Sequence, residues 1–322
     1  VNYGASDAGV IVNLSAVTQN GVVSLRGSGG YANNDAYTNI QNVTGSLFDD
    51  LFYGSSVANI FDGGTGSLHN RVSYANDTAN LVINLSDKTA SGANAGKGLN
   101  GNAAGDTYIN IQDATGGSGN DTFVASSAEN RFDGGAGSDT VSYASSDAPV
   151  IVNLSAVTLG GVASMRGSGG YANNDEYTSI ENVIGSSGND IFYASADTAA
   201  AANRFDGGGG THNRVSYEAA TADLTVNLIT NAGSGGALGD TYANIQDVTG
   251  GAGNDTFVAN SSVNFFDGGG GTHNRVNYAS DTTALIINLS DKTASGVAAG
   301  IGSGGNAAGD TYINIQDATG GS

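Results

Sequence analysis

The triplet Val-x-Tyr occurs at Val1, Val72, Val141, Val215 and Val276, dividing the chain into four stretches of 71, 69, 74 and 61 residues and a shorter fifth. Repetition on this scale constrains the fold more than any local pattern, because each stretch must form the same unit and bury its apolar face against its neighbours. Every stretch follows one script. Thirteen residues after the Val comes the Leu of "VNLS" or a close variant, at Leu14, Leu85, Leu154, Leu228 and Leu289. An Asp then opens "D-x-Tyr-x-x-Ile", at Asp35, Asp106, Asp175, Asp240 and Asp310. Fifteen residues further on lies a second Asp, at Asp50, Asp121, Asp190 and Asp255, and "FDGG" follows at Phe61, Phe132, Phe205 and Phe266.

The intervals between these landmarks show where length can vary. The spacer from "NLS" to the first Asp is nine residues shorter in the fourth unit than in the others, and the remaining changes fall in the Gly-rich stretch before Val-x-Tyr and in "ADTAAAAN", residues 196–203. Strands keep their spacing and turns absorb the changes, because a one-residue slip within a strand would turn its inward face outward. The strands are short: "VIVNLS", "TYINIQD", "DTFVA" and "DTVSY" alternate β-branched or aromatic residues with polar ones, and no segment keeps a helical apolar period. The pattern predicts an all-β fold, one continuous right-handed parallel β-solenoid over residues 1–322, with units 1–71, 72–140, 141–214, 215–275 and a truncated 276–322. Coils of roughly 18 to 20 residues, stacked about 4.8 Å apart, would make a rod on the order of 75 Å long. A Greek-key sandwich array is the alternative, since sandwiches also join short strands by turns. With 7% aromatic residues, a seventy-residue sandwich would have a thin core.

Inside the second unit Asp121, Asn130 and Asp139 fall nine residues apart, and Phe123, Phe132 and Val141 keep the same step. Residues 116–124, "GGSGNDTFV", and 134–142, "GGAGSDTVS", share the pattern Gly-Gly-x-Gly-x-Asp-x-apolar-x, eighteen residues apart. Gly117, Gly119, Gly135 and Gly137 permit turns with positive φ and let carbonyls face an ion, while Asp121 and Asp139 each add a hard anionic oxygen. The chain carries 30 Asp and Glu against 10 Lys and Arg, a net charge of −20. Stacked carboxylates repel unless a cation makes ligands of them, and many Asp residues beside Gly point to calcium. The same charge argues against nucleic acid as a partner. There is no Cys, which excludes thiolate metal sites, and the three His residues stand apart in "HNR" turns, which does not suit zinc.

The pattern returns, with losses. "GGAGNDTFV" at 250–258 is complete and supplies Gly251, Gly253 and Asp255, while "GSLFDD" and "GSSGND" are partial and end at Asp50 and Asp190. The partner turns of these three carry Asn274, Asn70 and Asn213 in the Asp position. Arg71, Arg214 and Arg275 follow those Asn residues directly and are expected to supply positive charge where an ion is missing.

On these motifs the chain resembles the RTX, or hemolysin-type, calcium-binding repeat family. The resemblance implies a β-roll in which six residues of each nonapeptide form a turn and three a strand, two nonapeptides completing one coil, with calcium as cofactor and the Asp and Gly residues named above as its ligands. It extends over essentially the whole chain, because "DTVSYASSDAPVIVNLSA" and "NDEYTSIENVIGSSGNDIFYAS" look like the degenerate units that flank nonapeptides in large secreted RTX proteins. It further implies type I secretion, with folding outside the cell where calcium is abundant.

No catalytic set accompanies the repeats: there is no HExxH, no Gly-x-Ser-x-Gly elbow and no Cys nucleophile. Near copies also argue against the one special constellation that catalysis needs. The chain is therefore expected to be no enzyme but a calcium-stabilised structural segment of an extracellular bacterial surface protein, of adhesin stalk, filament, sheath or S-layer type. Further copies of itself, in tandem or end to end, are its expected partners, since open solenoid ends expose unpaired strand edges. A passive calcium-binding region of a secreted RTX enzyme is the competing reading. Carbohydrate binding through Tyr31 and Tyr171, with a surface glycan as partner, is a third. The chain has no run of about twenty apolar residues. It opens at "VNYGAS" with neither initiator Met nor signal peptide, as expected of a piece of something longer.

Overall fold

In the computed structural model no strand among the described residues is longer than four residues, and most have three. Residues 1–66, 69–195 and 202–322 are described, so most of "ADTAAAAN" lies outside the described residues. Three-residue strands are what the nine-residue step demands. Asp113–Thr115, Thr122–Val124, Arg131–Asp133 and Thr140–Ser142 begin nine residues apart, leaving six residues for each turn. Alternate strands join opposite sheets: Ala114 pairs with Phe132 in one and Phe123 with Val141 in the other, both in parallel and eighteen residues on.

The middle residue of each strand faces the interior, so Phe123, Phe132 and Val141 are fully or almost fully buried. Rings from opposing sheets meet there, Phe123 with Phe132 at 5.4 Å between centroids and Phe257 with Phe266 at 5.5 Å. Each buried Phe contributes on the order of 2–3 kcal/mol by leaving water. The protein is a parallel β-roll, and its parallel ladders exclude the sandwich.

The chain forms two compact units, one of residues 1–147 and 168–182, the other of residues 148–167 and 183–322. In the first, Ile11–Asn13, Leu51–Tyr53, Arg71–Ser73, Asp113–Thr115, Arg131–Asp133 and Glu176–Thr178 pair successively in parallel. Facing them are the ladders of Asn42–Thr44, Ile60–Asp62 and Thr107–Ile109, and of Val82–Asn84, Thr122–Val124 and Thr140–Ser142. In the second unit, Ile151–Asn153, Ile191–Tyr193, Arg214–Ser216, Asp247–Thr249, Phe265–Asp267 and Thr311–Ile313 repeat the first ladder.

Uniform coils of 18 to 20 residues do not hold throughout. Leu51 lies beside Ile11 and Asp113 beside Arg71, steps of 40 and 42 residues (51 − 11 and 113 − 71). The reason is that the spacer after each "NLS" leaves the roll. It returns as a short antiparallel strand, such as Arg26–Ser28 against Ile11–Asn13 or Gly98–Leu99 against Val82–Asn84, followed by a single 3-10 turn at Gly30–Ala32 or Gly101–Ala103. Buried Asn side chains hold these excursions shut. Asn13 Nδ2 donates to the carbonyls of Val17, Val22 and Val23, and Asn153 Nδ2 to those of Val157, Val162 and Ala163.

The excursion ends at the first Asp of the script, where a buried triad pins it to the roll. Tyr74 Oη donates to Asp106 Oδ2 at 2.5 Å and shares a hydrogen bond with Tyr108 Oη at 2.8 Å, while Asp106 Oδ1 accepts the Asn59 N–H at 2.7 Å. Tyr3, Asp35 and Tyr37 repeat the triad, as do Tyr143 with Asp175 and Tyr177, Tyr217 with Asp240 and Tyr242, and Tyr278 with Asp310 and Tyr312.

Candidate metal centre

The second Asp of each script closes its own turn. Gly117 N–H donates to Asp121 Oδ2 at 2.7 Å, Ser46 N–H to Asp50 Oδ2 at 2.6 Å, Ser186 N–H to Asp190 Oδ2 at 2.7 Å and Gly251 N–H to Asp255 Oδ2 at 2.8 Å. The other oxygen ties the turn to the neighbouring layer, accepting from Leu81, Val10, Val150 and Leu224 N–H at 2.8, 2.7, 2.7 and 3.1 Å. All four carboxylates are buried with both oxygens bonded. Burial pushes the Asp121 and Asp190 carboxyls above the usual range and Asp255 up to about 6, against the pull of these N–H donors.

Each Asp then donates its own N–H to a second rung in the next layer: Asp121 to Asp139 Oδ1 at 2.7 Å, and Asp50, Asp190 and Asp255 to the Oδ1 of Asn70, Asn213 and Asn274 at 3.0, 2.9 and 2.8 Å. A third rung follows. Asp139 N–H donates to Glu181 Oε2 at 2.8 Å, and the N–H groups of Asn70, Asn213 and Asn274 donate to the Oε1 of Gln112, Gln246 and Gln316 at 3.0, 2.9 and 2.8 Å. The sequence reading missed this rung. Its signal was a Gln or Glu six residues after the first Asp of each script, at Gln41, Gln112, Glu181, Gln246 and Gln316, of which the last four form the rung.

At the second rung the four columns differ at one atom. Asn70, Asn213 and Asn274 turn Nδ2 toward the carbonyls of Asn110, Asn244 and Asn314 and donate to them at 3.1, 2.9 and 3.1 Å. In the fourth column Asp139 Oδ2 takes that place: it and the Ser179 carbonyl oxygen both crowd the position a Cβ of Gly134 would occupy, as Asn70 Nδ2 and the Asn110 carbonyl do at Gly63. An acceptor there meets an acceptor. Asp139 Oδ2 is buried and has no hydrogen-bond partner. Burial, together with the charges of Asp121, Glu181 and Asp133, pushes the Asp139 carboxyl up to about 7 despite the Asp121 N–H bond.

The glycines of the two turn types serve different ends. Gly135 and Gly137 have φ of 92° and 129°, as the sequence predicts. Gly117, Gly119, Gly251 and Gly253 lie outside the left-handed region; they are needed because the preceding layer presses on them, a Cβ at Gly117 colliding with the Asp77 carbonyl and one at Gly251 with that of Ala220. Arg71, Arg214 and Arg275 do not stand in for an ion beside Asp50, Asp190 and Asp255. The first residue of a three-residue strand points outward, so their guanidinium groups lie 3.6, 3.9 and 3.8 Å from the carboxylates of Asp113, Asp247 and Asp317 instead.

Two family profiles match this architecture. Residues 115–145, which contain both complete turns of the second unit, match the RTX calcium-binding nonapeptide repeat (4 copies), and residues 131–313 match the peptidase M10 serralysin C-terminal profile. The second match spans more than half of the chain. The chain belongs to the serralysin C-terminal family of RTX repeat proteins. No curated protein matches it. This RTX roll is a calcium-binding repeat region of a type I secreted, extracellular protein. The serralysin C-terminal family is the non-catalytic repeat region of a secreted protease. In this chain the surroundings of Asp139 suit the ion, because its buried Oδ2 lacks a hydrogen-bond partner and shares the space beside Gly134 with the Ser179 carbonyl. Among the described residues no three carboxylate or imidazole groups converge as a metal cluster, so an ion at Asp139 would draw most of its six to eight oxygens from backbone carbonyls and water.

Proposed function

We propose that this RTX roll is a structural segment without catalytic activity, locked by calcium between the turns that end at Asp121 and Asp139. The observation that carries the reading is Asp139 Oδ2, a buried acceptor with no donor beside the Ser179 carbonyl. Calcium supplies the positive charge that lets two such oxygens lie side by side. Asp139 and the Ser179 carbonyl would hold it, and Gly117, Gly119, Gly135 and Gly137 allow the layers to approach closely enough for turn carbonyls to contribute. Asp50, Asp190 and Asp255, the other candidate ligands, stand at the first rung of their own columns with both oxygens already taken by N–H donors, so an ion there would first have to displace those bonds.

The repeated script supports a spacer of adhesin stalk, filament, sheath or S-layer type, one continuous solenoid with further copies of itself in tandem or end to end. The serralysin C-terminal match supports a second reading, the passive repeat region of a secreted enzyme. Continuation of the chain into more script units favours the first and into a catalytic region the second. Tyr31 is well exposed, and a glycan array tests whether a sugar binds there. Calorimetric titration of the chelator-stripped chain with calcium, and with magnesium as control, tests the core of the proposal. Saturable uptake specific to calcium is expected; no uptake of calcium would overturn it.

A further inference from the structure

We infer that the calcium requirement of this roll is confined to the column Asp121, Asp139 and Glu181, and that the amide groups of Asn70, Asn213 and Asn274 take the place of the ion in the other three. The inference rests on the calcium reading above and goes further by assigning which layers depend on the ion. Asn and Asp have the same shape, but an amide brings two N–H donors where a carboxylate brings only acceptors. At the three Asn rungs those donors are spent on the carbonyls of Asn110, Asn244 and Asn314, with Asn213 and Asn274 also reaching the Gly209 and Gly270 carbonyls. Each of these columns is therefore closed by hydrogen bonds alone. It also carries a single carboxylate, the Gln at its third rung being neutral.

The column at Asp139 is built in reverse. The donor is replaced by an acceptor, the neutral Gln by Glu181, and three carboxylates follow one another through successive layers, joined by the N–H groups of Asp121 and Asp139. Asp139 Oδ2 is left beside a carbonyl with nothing to donate to it. A divalent cation answers both the surplus charge and the missing donor. The paired change of two residues, Asn to Asp and Gln to Glu, converts a self-sufficient layer into one that waits for calcium.

Calorimetric calcium titration of the full chain, wild type against the double variants D139N/E181Q and N213D/Q246E, tests the assignment. The first removes the ion site by copying the Asn columns; its calcium stoichiometry is expected to fall by one and its melting temperature in chelator to rise. The second copies the Asp139 column into the other compact unit and is expected to gain one calcium and to melt lower in chelator than wild type. Wild-type uptake unchanged by D139N/E181Q would overturn the inference and take the ion away from Asp139 while leaving calcium binding by the chain intact, and a folded N213D/Q246E chain that gains no ion would overturn the inference alone. A carboxyl satisfied by a proton rather than calcium gives the first of these results. No uptake by the wild type would instead remove the calcium reading itself.

Discussion

At the second rung Asn and Asp face the same kind of carbonyl with opposite polarity, and the surrounding backbone decides what each can do there. The Asp residues of the columns and the glycines of 116–124 and 134–142 were legible in the sequence because both residue types recur at fixed steps. The meaning of Asn70, Asn213 and Asn274 was not, since a sequence shows a substitution but not the carbonyl that the amide meets. For the same reason the Arg residues next to them were misplaced: which way a side chain points depends on its place in a three-residue strand. The glycines carry a separate prediction. G117A adds a methyl group that must displace the Asp77 carbonyl, and is expected to destabilise the calcium-loaded chain by about 1–3 kcal/mol in urea unfolding. An unchanged midpoint would mean that the layers have room to spare.

The elements of the roll were legible and those of the excursion were not. Strands such as Thr122–Val124 announce themselves by alternation, whereas Arg26–Ser28 and Gly98–Leu99 are short, Gly-containing and antiparallel, and carry no period at all. What holds the excursion is polar. Y74F removes the donor to Asp106 Oδ2 in a buried triad and is expected to lower stability by about 1–3 kcal/mol. The triads also give the fold a pH dependence. Burial pushes Asp106 up to about 7 and Asp310 to about 6, so the folded chain holds these protons more tightly than the unfolded one, where Asp titrates near its ordinary value of about 3.9. Their contribution is complete below about pH 4 and is lost as pH rises through about 7. The chelated chain is therefore predicted to melt at a lower temperature at pH 8 than at pH 5. D106N should reduce that difference, because the amide still accepts from Asn59 N–H and donates toward Tyr74. A difference of full size in D106N would place the titration elsewhere.

At the scale of the whole molecule a net charge of −20 opposes compaction, and bound cations offset it. Calcium that binds only the folded state stabilises it by about 2.7 kcal/mol at 100 times the dissociation constant. That stabilisation is not spread evenly if three of the four columns are closed by amides. Hydrogen–deuterium exchange resolved to peptides, on the chain loaded with calcium and then stripped by chelator, reads the distribution directly. The predicted result is a large gain of protection with calcium in 116–124 and 134–142, and little change in the Asn turns at 69–73, 207–216 and 268–277. Equal protection of 116–142 in chelator and in calcium, or a uniform loss across all four columns on chelation, would contradict it.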